Sequence, residues 1–167
     1  MLLSLLQELE RNELPHMLRA ENVDKWNSVN ITFHKPHIER LWRPWKGEYR
    51  INLHIIHPCA RQEALYHPHA WPAAIHVLNH SYRMGTGYGA GEDPPPSSYY
   101  FELGAGTYYE MIHPDAWHAE FPYGVPAVTV TVSGKPWPRQ APKSPYKLLT
   151  LSRQRKFEIL QTVAKLF

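Results

Sequence analysis

The chain has little of several features that mark large classes of protein. Cys59 is its single cysteine, which excludes an intrachain disulfide and allows a reducing compartment. No apolar run approaches the roughly 20 residues of a membrane-spanning helix. The start, MLLSLLQELERNEL, is interrupted by Glu8 and Glu10 and lacks the basic start of a signal peptide. The net charge of +3 is too small to indicate nucleic acid. We therefore expect a soluble, cytoplasmic protein that binds neither nucleic acid nor membranes.

Helical spacing is confined to the two ends of the chain. Residues 2–11 place leucines on one face, and a second helix near Pro15 is predicted to carry Met17, Leu18 and Trp26. The leucine-rich first helix leaves a homodimer open. The tail SRQRKFEILQTVAKLF is predicted to form a helix capped by Ser152, with the basic run RQRK on a solvated face. Its buried face is expected to be Phe157, Leu160, Ala164 and Phe167.

The middle of the chain is predicted to consist of short strands. Gly and Pro separate segments rich in β-branched and aromatic residues, and one turn falls at Asn79-His80. GTGYGAGEDPPPSS is predicted to be a loop. We expect one domain over 1–167, with a β-sandwich or barrel at about 48–134 and helical extensions at 1–30 and 150–167. The predicted strands are GEYRINLHII, AAIHVLNHSYRM, SYYFEL, TYYEMI and AVTVTVSG.

Histidines suggest the chemistry of the chain. His67 and His69 are two residues apart, so in a strand both imidazoles point to one face, as two ligands of one metal must. HxH pairs also arise by chance among eleven histidines. About fifty residues later, YYEMIHPDAWHAEF runs through a Pro-Asp turn and places His118 near the start of another strand.

These two stretches resemble the two motifs of the cupin superfamily. The first cupin motif reads H-x-H, three or four residues, a glutamate, and six more to a glycine, and it matches His67 and His69. The second, P-x-G-x-x-H, matches IHPDAWH and ends at His118. The run HPHAW also resembles a group of small cupins whose first motif reads HxHPW. The resemblance implies a mainly β fold, a double-stranded β-helix or jelly-roll barrel, with one divalent metal on His67, His69 and His118.

The chain departs from the cupin motifs at four positions. Ala73 stands where most cupins have a glutamate ligand, His80 and Asp115 replace the turn glycines, and His113 replaces the proline. A three-histidine set without a carboxylate is similar to the sites of thiol and diketone-cleaving dioxygenases. It leaves iron(II) its full charge and up to three open positions. The 2-oxoglutarate oxygenases are discounted because they need a carboxylate at the position of His69.

Other residues are weaker candidates for a catalytic role. His76 faces away from the histidine pair by strand parity unless a bulge intervenes. Glu110 and Glu120 flank the second motif, and either could replace the missing carboxylate or act as a base. We also considered His54 as a cavity or supporting residue, His113 as a ligand, Cys59 as a nucleophile, Trp71 and Trp117 as walls of the site, and Tyr99, Tyr100, Phe101, Tyr108 and Tyr109 as cross-strand and core aromatics.

The resemblance implies a mononuclear metalloenzyme. We expect an iron(II) dioxygenase that acts on a small polar molecule, with dioxygen as a second substrate; Ni, Mn, Zn and Cu remain possible metals. Two alternatives stay open: a non-catalytic cupin that binds a small molecule or sugar, and a metal-assisted isomerase or lyase.

Overall fold

The computed structural model describes residues 1–138 and 142–167. Helices lie at the two ends, and strands occupy the part between them. The α-helices are α1 (Leu2–Asn12), α2 (Leu14–Met17) and α3 (Arg153–Ala164), with 3₁₀ helices at Ala20–Lys25 and Arg61–Glu63. The strands are β1 (Asn27–Ile31), β2 (Ile38–Trp45), β3 (Tyr49–Ile56), β4 (His67–Pro68), β5 (Ala73–Asn79), β6 (Ser81–Tyr88), β7 (Tyr99–Gly104), β8 (Tyr108–Met111), β9 (Ala116–Pro122) and β10 (Ala127–Ser133).

The strands form two antiparallel sheets that enclose a cavity. One sheet has the order β1-β2-β3-β10-β5-β8, and the other has the order β4-β9-β6-β7. Residues from both sheets line the cavity. The prediction of a mainly β fold with helices at the two ends is confirmed. Within the described ranges, no helix is long and apolar enough to cross a bilayer.

Strand alternation decides which side chains reach the cavity. In β10, Val128, Val130 and Val132 pack toward the helices, whereas Thr129 and Thr131 line the cavity. The neighbouring strand β3 shows the same division: Ile51, Leu53 and Ile55 pack under the helices, and Asn52, His54 and Ile56 face the cavity. The polar side chains of β3 and β10 therefore lie on the inner face of the six-stranded sheet.

Helix α1 covers that apolar outer face. Leu2, Leu6 and Leu9 are buried against the sheet, as the leucine spacing predicted. Full burial of each leucine contributes roughly 1.5–3 kcal/mol. Because this face packs within its own chain, it is not available for the homodimer that the leucine pattern left open. The second predicted helix is only the four-residue α2, and Trp26 lies beyond it, directly before β1.

Helix α3 begins where predicted, and Ser152 caps it by accepting a hydrogen bond from the backbone N–H of Arg155. The predicted buried face was wrong at Ala164 and Phe167, which are exposed, whereas Leu160 is buried and Phe157 packs partly buried against the core. The helix turns a neighbouring stripe toward the sheet, and its buried residues are Ile159, Leu160 and Val163.

The basic run RQRK is a solvated face only in part, because Arg153 and Gln154 are exposed whereas Arg155 and Lys156 are half-buried. Arg153 contacts the carboxylate of Asp24, and the Nζ of Lys156 donates to the carbonyl oxygen of Trp26 at 2.8 Å. The guanidinium of Arg155 donates to both carboxylate oxygens of Glu39, each at 2.7 Å. These bonds attach helix α3 to the six-stranded sheet and to the 3₁₀ helix Ala20–Lys25.

The pair of Glu39 and Arg155 makes a testable contribution to stability. Hydrogen bonds from Arg155 lower the pKa of Glu39 from 4.5 to about 2. Since the folded-state pKa is depressed, the contribution is complete above pH 4.5 and is lost as pH falls toward 2. We expect Glu39→Gln to lower the free energy of unfolding by about 2 kcal/mol at pH 7. Urea unfolding should show this difference from the parent shrinking progressively between pH 5 and pH 3. A difference that does not change with pH would contradict the assignment.

The sheets extend further than the sequence predicted. Strands β1 and β2 lie before residue 48, inside and just after the expected N-terminal helical extension. Strand β6 also continues to Tyr88, through residues predicted to be a loop. Its glycines are there because neighbouring atoms approach closely: a Cβ at Gly87 would lie 2.5 Å from the carbonyl oxygen of Pro96. The predicted turn at Asn79-His80 is confirmed, and His80 adopts a positive φ of 59°.

Candidate functional site

The three predicted metal ligands come together through one strand pairing. His67 in β4 is the antiparallel partner of His118 in β9, and the backbone N–H of His69 donates to the carbonyl oxygen of Ala116 at 2.9 Å. The ring centroids of His67 and His118 are 4.6 Å apart, and those of His69 and His118 are 4.9 Å apart. The H-P-H segment and the strand after the Pro-Asp turn thus build one cluster, which we call the histidine cluster (His67, His69 and His118).

All three rings of the histidine cluster are neutral at physiological pH. Burial lowers the pKa of His67 and of His69 to about 4, and it lowers the pKa of His118 well below its usual value. Each ring would also repel a proton on its neighbours. Neutral imidazole is the form that binds a metal ion.

The hydrogen bonds of the histidine cluster leave ring nitrogens available. Nδ1 of His67 donates to the carbonyl oxygen of Leu65 at 3.0 Å, which leaves the lone pair of its Nε2 free. Nε2 of His69 and Nδ1 of His118 are buried and have no hydrogen-bond partner within the described residues. Buried polar atoms without partners are costly, and a bound ion is one common explanation.

The donor set fits a metal in its chemistry, but the rings do not converge on a common point. Nowhere in residues 1–138 and 142–167 do three or more His, Cys, Asp or Glu side chains hold their donor atoms as a metal ion requires. Instead, Nδ1 of His69 faces Nε2 of His118 at 3.4 Å. Metal binding would therefore require rotation about the Cβ–Cγ bonds, which are soft torsions.

The histidine cluster opens into a cavity of about 280 Å³ between the two sheets. Among the described residues that line it, Arg40 is the one side chain with a permanent positive charge, and Glu120 is the one carboxylate. The hydroxyls of Tyr82 and Tyr109 hydrogen-bond to each other in the same wall. Apolar lining comes mainly from Val29, Ile31, Phe33, Ile38, Ile56, Ala70, Trp71, Ala73, Ile75 and Met111.

Glu120 is the weak candidate that the fold brings to the histidine cluster. It lies two residues after His118 in β9, so both side chains share the inner face, and its Oε1 is 3.7 Å from Nδ1 of His118. The carboxylate side chain is 16% exposed, and burial raises its pKa to about 7. A carboxylate is therefore present beside the histidines although position 73 lacks one.

His76 and Glu110 lie outside the cavity. His76 points to the outer face of β5, as strand parity predicted, and its Nδ1 donates to Oε1 of the buried Glu10 at 2.6 Å. Its ring also stacks on Tyr108 at a centroid distance of 3.8 Å. Glu110 accepts the backbone N–H of Leu3 at 2.8 Å. Both residues attach helix α1 to the sheet.

We expect His76→Ala to affect the stability of the protein and not its metal binding. The substitution removes a hydrogen bond to a buried carboxylate and should lower the free energy of unfolding by about 1–3 kcal/mol. Metal content should equal that of the parent because His76 lies on the outer face. Thermal unfolding and elemental analysis of the same preparation check both expectations. Loss of metal in a folded His76→Ala protein would show that the ligand set is misassigned.

The remaining candidates divide between the cavity and the surface. His54 lines the cavity, where its Nδ1 donates to Oγ1 of Thr129 at 3.1 Å. His113 accepts the backbone N–H of Asp115 and lies at the exposed turn. Burial raises the pKa of the Cys59 thiol, the opposite of what a nucleophile needs.

The predicted aromatic walls and core are only partly correct. Trp71 lines the cavity, but Trp117 turns to the other face of β9 and donates to the carbonyl oxygen of Gly89. Tyr99, Tyr100, Phe101 and Tyr108 are exposed, so the prediction that these four belong to the core was wrong. The prediction of cross-strand pairs is confirmed for Tyr108, whose ring stacks on His76 of the neighbouring strand β5. The four exposed aromatics belong to β7 and β8, which are edge strands of the two sheets.

Arg40 and His34 are among the cavity residues that sequence reasoning missed. Arg40 belongs to β2, a strand that was not predicted, and its Nε donates to Nε2 of His54 at 3.0 Å. His34 lies in the loop before β2, and its ring centroid is 6.1 Å from that of His67. Alternation along IERLWRPW was the available signal for Arg40, since Ile38 and Arg40 share one face.

No protein-family model matches the chain, and no curated protein matches it in sequence. Solved structures of similar fold do exist. The iron(II) form of HppE superposes with a TM-score of 0.52 at 14% identity, covering 66% of this chain and 56% of that one. Hydroxypropylphosphonic acid epoxidase from S. wedmorenis gives 0.51 at 14% identity, with the same coverage. An RmlC-like cupin from Shewanella frigidimarina gives 0.47 at 12% identity, covering 66% of this chain and 85% of that one.

The chain shares the fold of HppE over the matched residues. At identities near 14% this likeness concerns the fold alone. The match spans little more than half of the HppE chain. In this chain the histidine cluster lies on β9 and at the short β4, at one wall of the cavity.

Proposed function

We propose that the chain is a metal-dependent enzyme of cupin-like fold. In this proposal His67, His69 and His118 hold one divalent metal, iron(II), and the reaction is oxygenation of a small polar molecule. The observation that carries the proposal is the pairing of β4 with β9, which gathers three neutral imidazoles at the wall of a cavity. Imidazole sites also accept Ni, Mn, Zn and Cu, so the choice of iron rests on the similarity in fold to HppE.

The comparison with HppE favours iron as the first metal to test. HppE was solved in an iron(II) form, and its barrel shares this fold at a TM-score of 0.52. Three neutral histidines leave the full charge of iron(II) uncancelled, and this favours substrates that bring negative charge to the site. A bound iron(II) ion would supply open coordination positions at which substrate and dioxygen meet.

The side chains of this cavity would bind, orient and protect the substrate. Nε2 of His67 is free to ligate because the Leu65 carbonyl holds the proton on Nδ1. The apolar wall around Trp71 and Ile75 excludes water. Glu120, 3.7 Å from His118, can hold a proton at its carboxyl group close to the reacting centre.

A non-catalytic binding module is the second candidate. The observation that favours it is the orientation of the rings, because the described residues do not present three converging donors. In that case the cavity would hold a small molecule through Arg40, His54 and Glu120 alone. Metal analysis separates the two candidates.

The deciding experiment is elemental analysis of protein purified without chelators or added metal. We expect about one divalent metal per chain, with iron bound when the protein is prepared without oxygen. Oxygen uptake by the iron-loaded protein should then be screened with thiols, 1,3-diketones and hydroxy acids. Protein that stays metal-free after incubation with iron(II), zinc and nickel would contradict the proposal and leave the binding module.

A further inference from the structure

Among the described residues that line the cavity, one permanent cation has no ion-pair partner. Arg40 reaches it from β2, and its Nε donates to Nε2 of His54. His54 is neutral, since burial lowers its pKa well below the ordinary value, so this hydrogen bond does not compensate the charge. Arg40 forms no ion pair with any residue in the described ranges; the carboxylate of Glu120 attracts it only from a longer range.

A half-buried charge without an ion-pair partner is costly to stability, and the Trp71 ring, whose centroid is 5.9 Å from the guanidinium carbon of Arg40, attracts it only weakly. Desolvation lowers the pKa of Arg40 to about 10, which still leaves the side chain fully charged at neutral pH. Proteins keep such charges when a ligand or substrate supplies the opposite one. The terminal nitrogens of arginine form a planar fork that matches a carboxylate in shape and charge.

We infer that Arg40 binds the acidic group of a small carboxylate substrate in the cavity beside the histidine cluster. The inference rests on the proposed function, because it names the substrate class of the same site. A singly charged group is favoured over a phosphate or phosphonate because Arg40 is the one permanent cation among the described lining residues.

The volume of the cavity agrees with a small ligand. About 280 Å³ accommodates a molecule of a few carbon atoms together with its acidic group. The apolar wall formed by Ile38, Ile75 and Met111 suits a short carbon chain. Arg40 would fix one end of the substrate and so direct the rest of it toward the histidine cluster.

Butyrate, its neutral analogue butyramide, and propylphosphonate test the inference by calorimetric titration. We expect butyrate to bind at least about tenfold more tightly than butyramide, and more tightly than propylphosphonate. Arg40→Met should lose at least about tenfold in butyrate affinity. Arg43→Met is the matched control: Arg43 lies on the same strand against Trp26, outside the cavity lining, and its loss should leave butyrate binding unchanged.

Thermal unfolding gives an independent readout. Because Arg40→Met removes a half-buried charge that has no ion-pair partner in the described residues, we expect its Tm to rise by about 2–4 °C in the absence of ligand. A structural role for Arg40 would instead lower the Tm. Should Arg40→Met fail to fold, Arg40→Lys, which keeps the charge but loses the fork, should weaken butyrate about threefold or more.

The experiment tests carboxylate binding by Arg40 independently of metal binding by the histidine cluster. Butyrate is titrated into chelator-treated and iron-loaded protein, so Arg40-dependent binding is measured even if no metal binds. Equal affinity for butyrate and butyramide, or unchanged butyrate affinity in Arg40→Met or Arg40→Lys, would overturn the inference. Tighter binding of propylphosphonate than of butyrate would overturn its assignment to carboxylates.

Discussion

Replacing His118 by alanine is expected to abolish tight metal binding. The residue is 7% exposed, belongs to the rigid strand β9 and lies within 5 Å of both other histidine rings. Changes to residues that merely orient metal ligands typically cost 10–100-fold in affinity, so loss of a ligand should cost more than about 100-fold. Competition with a metal indicator measures this loss directly. His67→Ala and His69→Ala should behave in the same way.

The stability of the His118→Ala protein separates a lost ligand from a damaged fold. In the metal-free state Nδ1 of His118 is buried without a partner among the described residues, so its removal should cost little beyond packing. In the parent protein, free metal at 100 times its Kd should add about 2.7 kcal/mol to the free energy of unfolding. We expect this addition to vanish in His118→Ala while the metal-free proteins unfold at similar temperatures.

His76→Ala is the matched control for this series. It removes an imidazole of the same size from the outer face of the sheet and should keep the metal-induced stabilisation. Full metal content in His118→Ala would remove His118 from the ligand set. Equal metal loss in His76→Ala and His118→Ala would point to a general effect on folding.

The direction of a side chain within one strand could be predicted from this sequence. The two-residue spacing of His67 and His69 and the outward direction of His76 follow from strand alternation. The same rule could have selected Glu120 over Glu110, because Glu120 is two residues from His118 in one strand.

The features that depend on distant packing could not be predicted from the sequence. Arg40 reaches the cavity because β2 pairs with β3 and brings Arg40 opposite His54. Nothing within IERLWRPW states which neighbour that strand will have. Likewise, the buried face of α3 is set by where Arg155 meets Glu39, a contact between residues 116 positions apart. Helical spacing predicted that α3 is a helix, but it did not predict which face of α3 packs against the sheet.

The missing carboxylate at position 73 can be restored. Ala73 is 1% exposed and lines the cavity, at the position where the cupin motif carries its glutamate. We expect Ala73→Glu to bind a divalent metal about tenfold or more tightly, because it adds a negative charge beside three neutral imidazoles. In the absence of metal, the same buried charge should lower the Tm.

Substrate binding should change in the opposite direction. An added carboxylate occupies a coordination position and cancels part of the metal charge, so an anionic ligand such as butyrate should bind at least about tenfold more weakly to the metal-loaded protein. Oxygen uptake with any substrate that the parent oxidises should fall with it. Metal affinity should therefore rise while anion affinity falls. A general loss of structure would lower both affinities.

Ala73→Gln provides the matched comparison, because glutamine fills the same space without a charge. The increase in Tm on adding metal should be larger for Ala73→Glu than for Ala73→Gln, since only the glutamate is relieved of an unpaired charge when the metal binds. If the two variants gain the same stabilisation from metal, position 73 does not face the metal. The alignment with the first cupin motif would then be wrong, and Glu120, already 3.7 Å from His118, would be the carboxylate to test as a ligand.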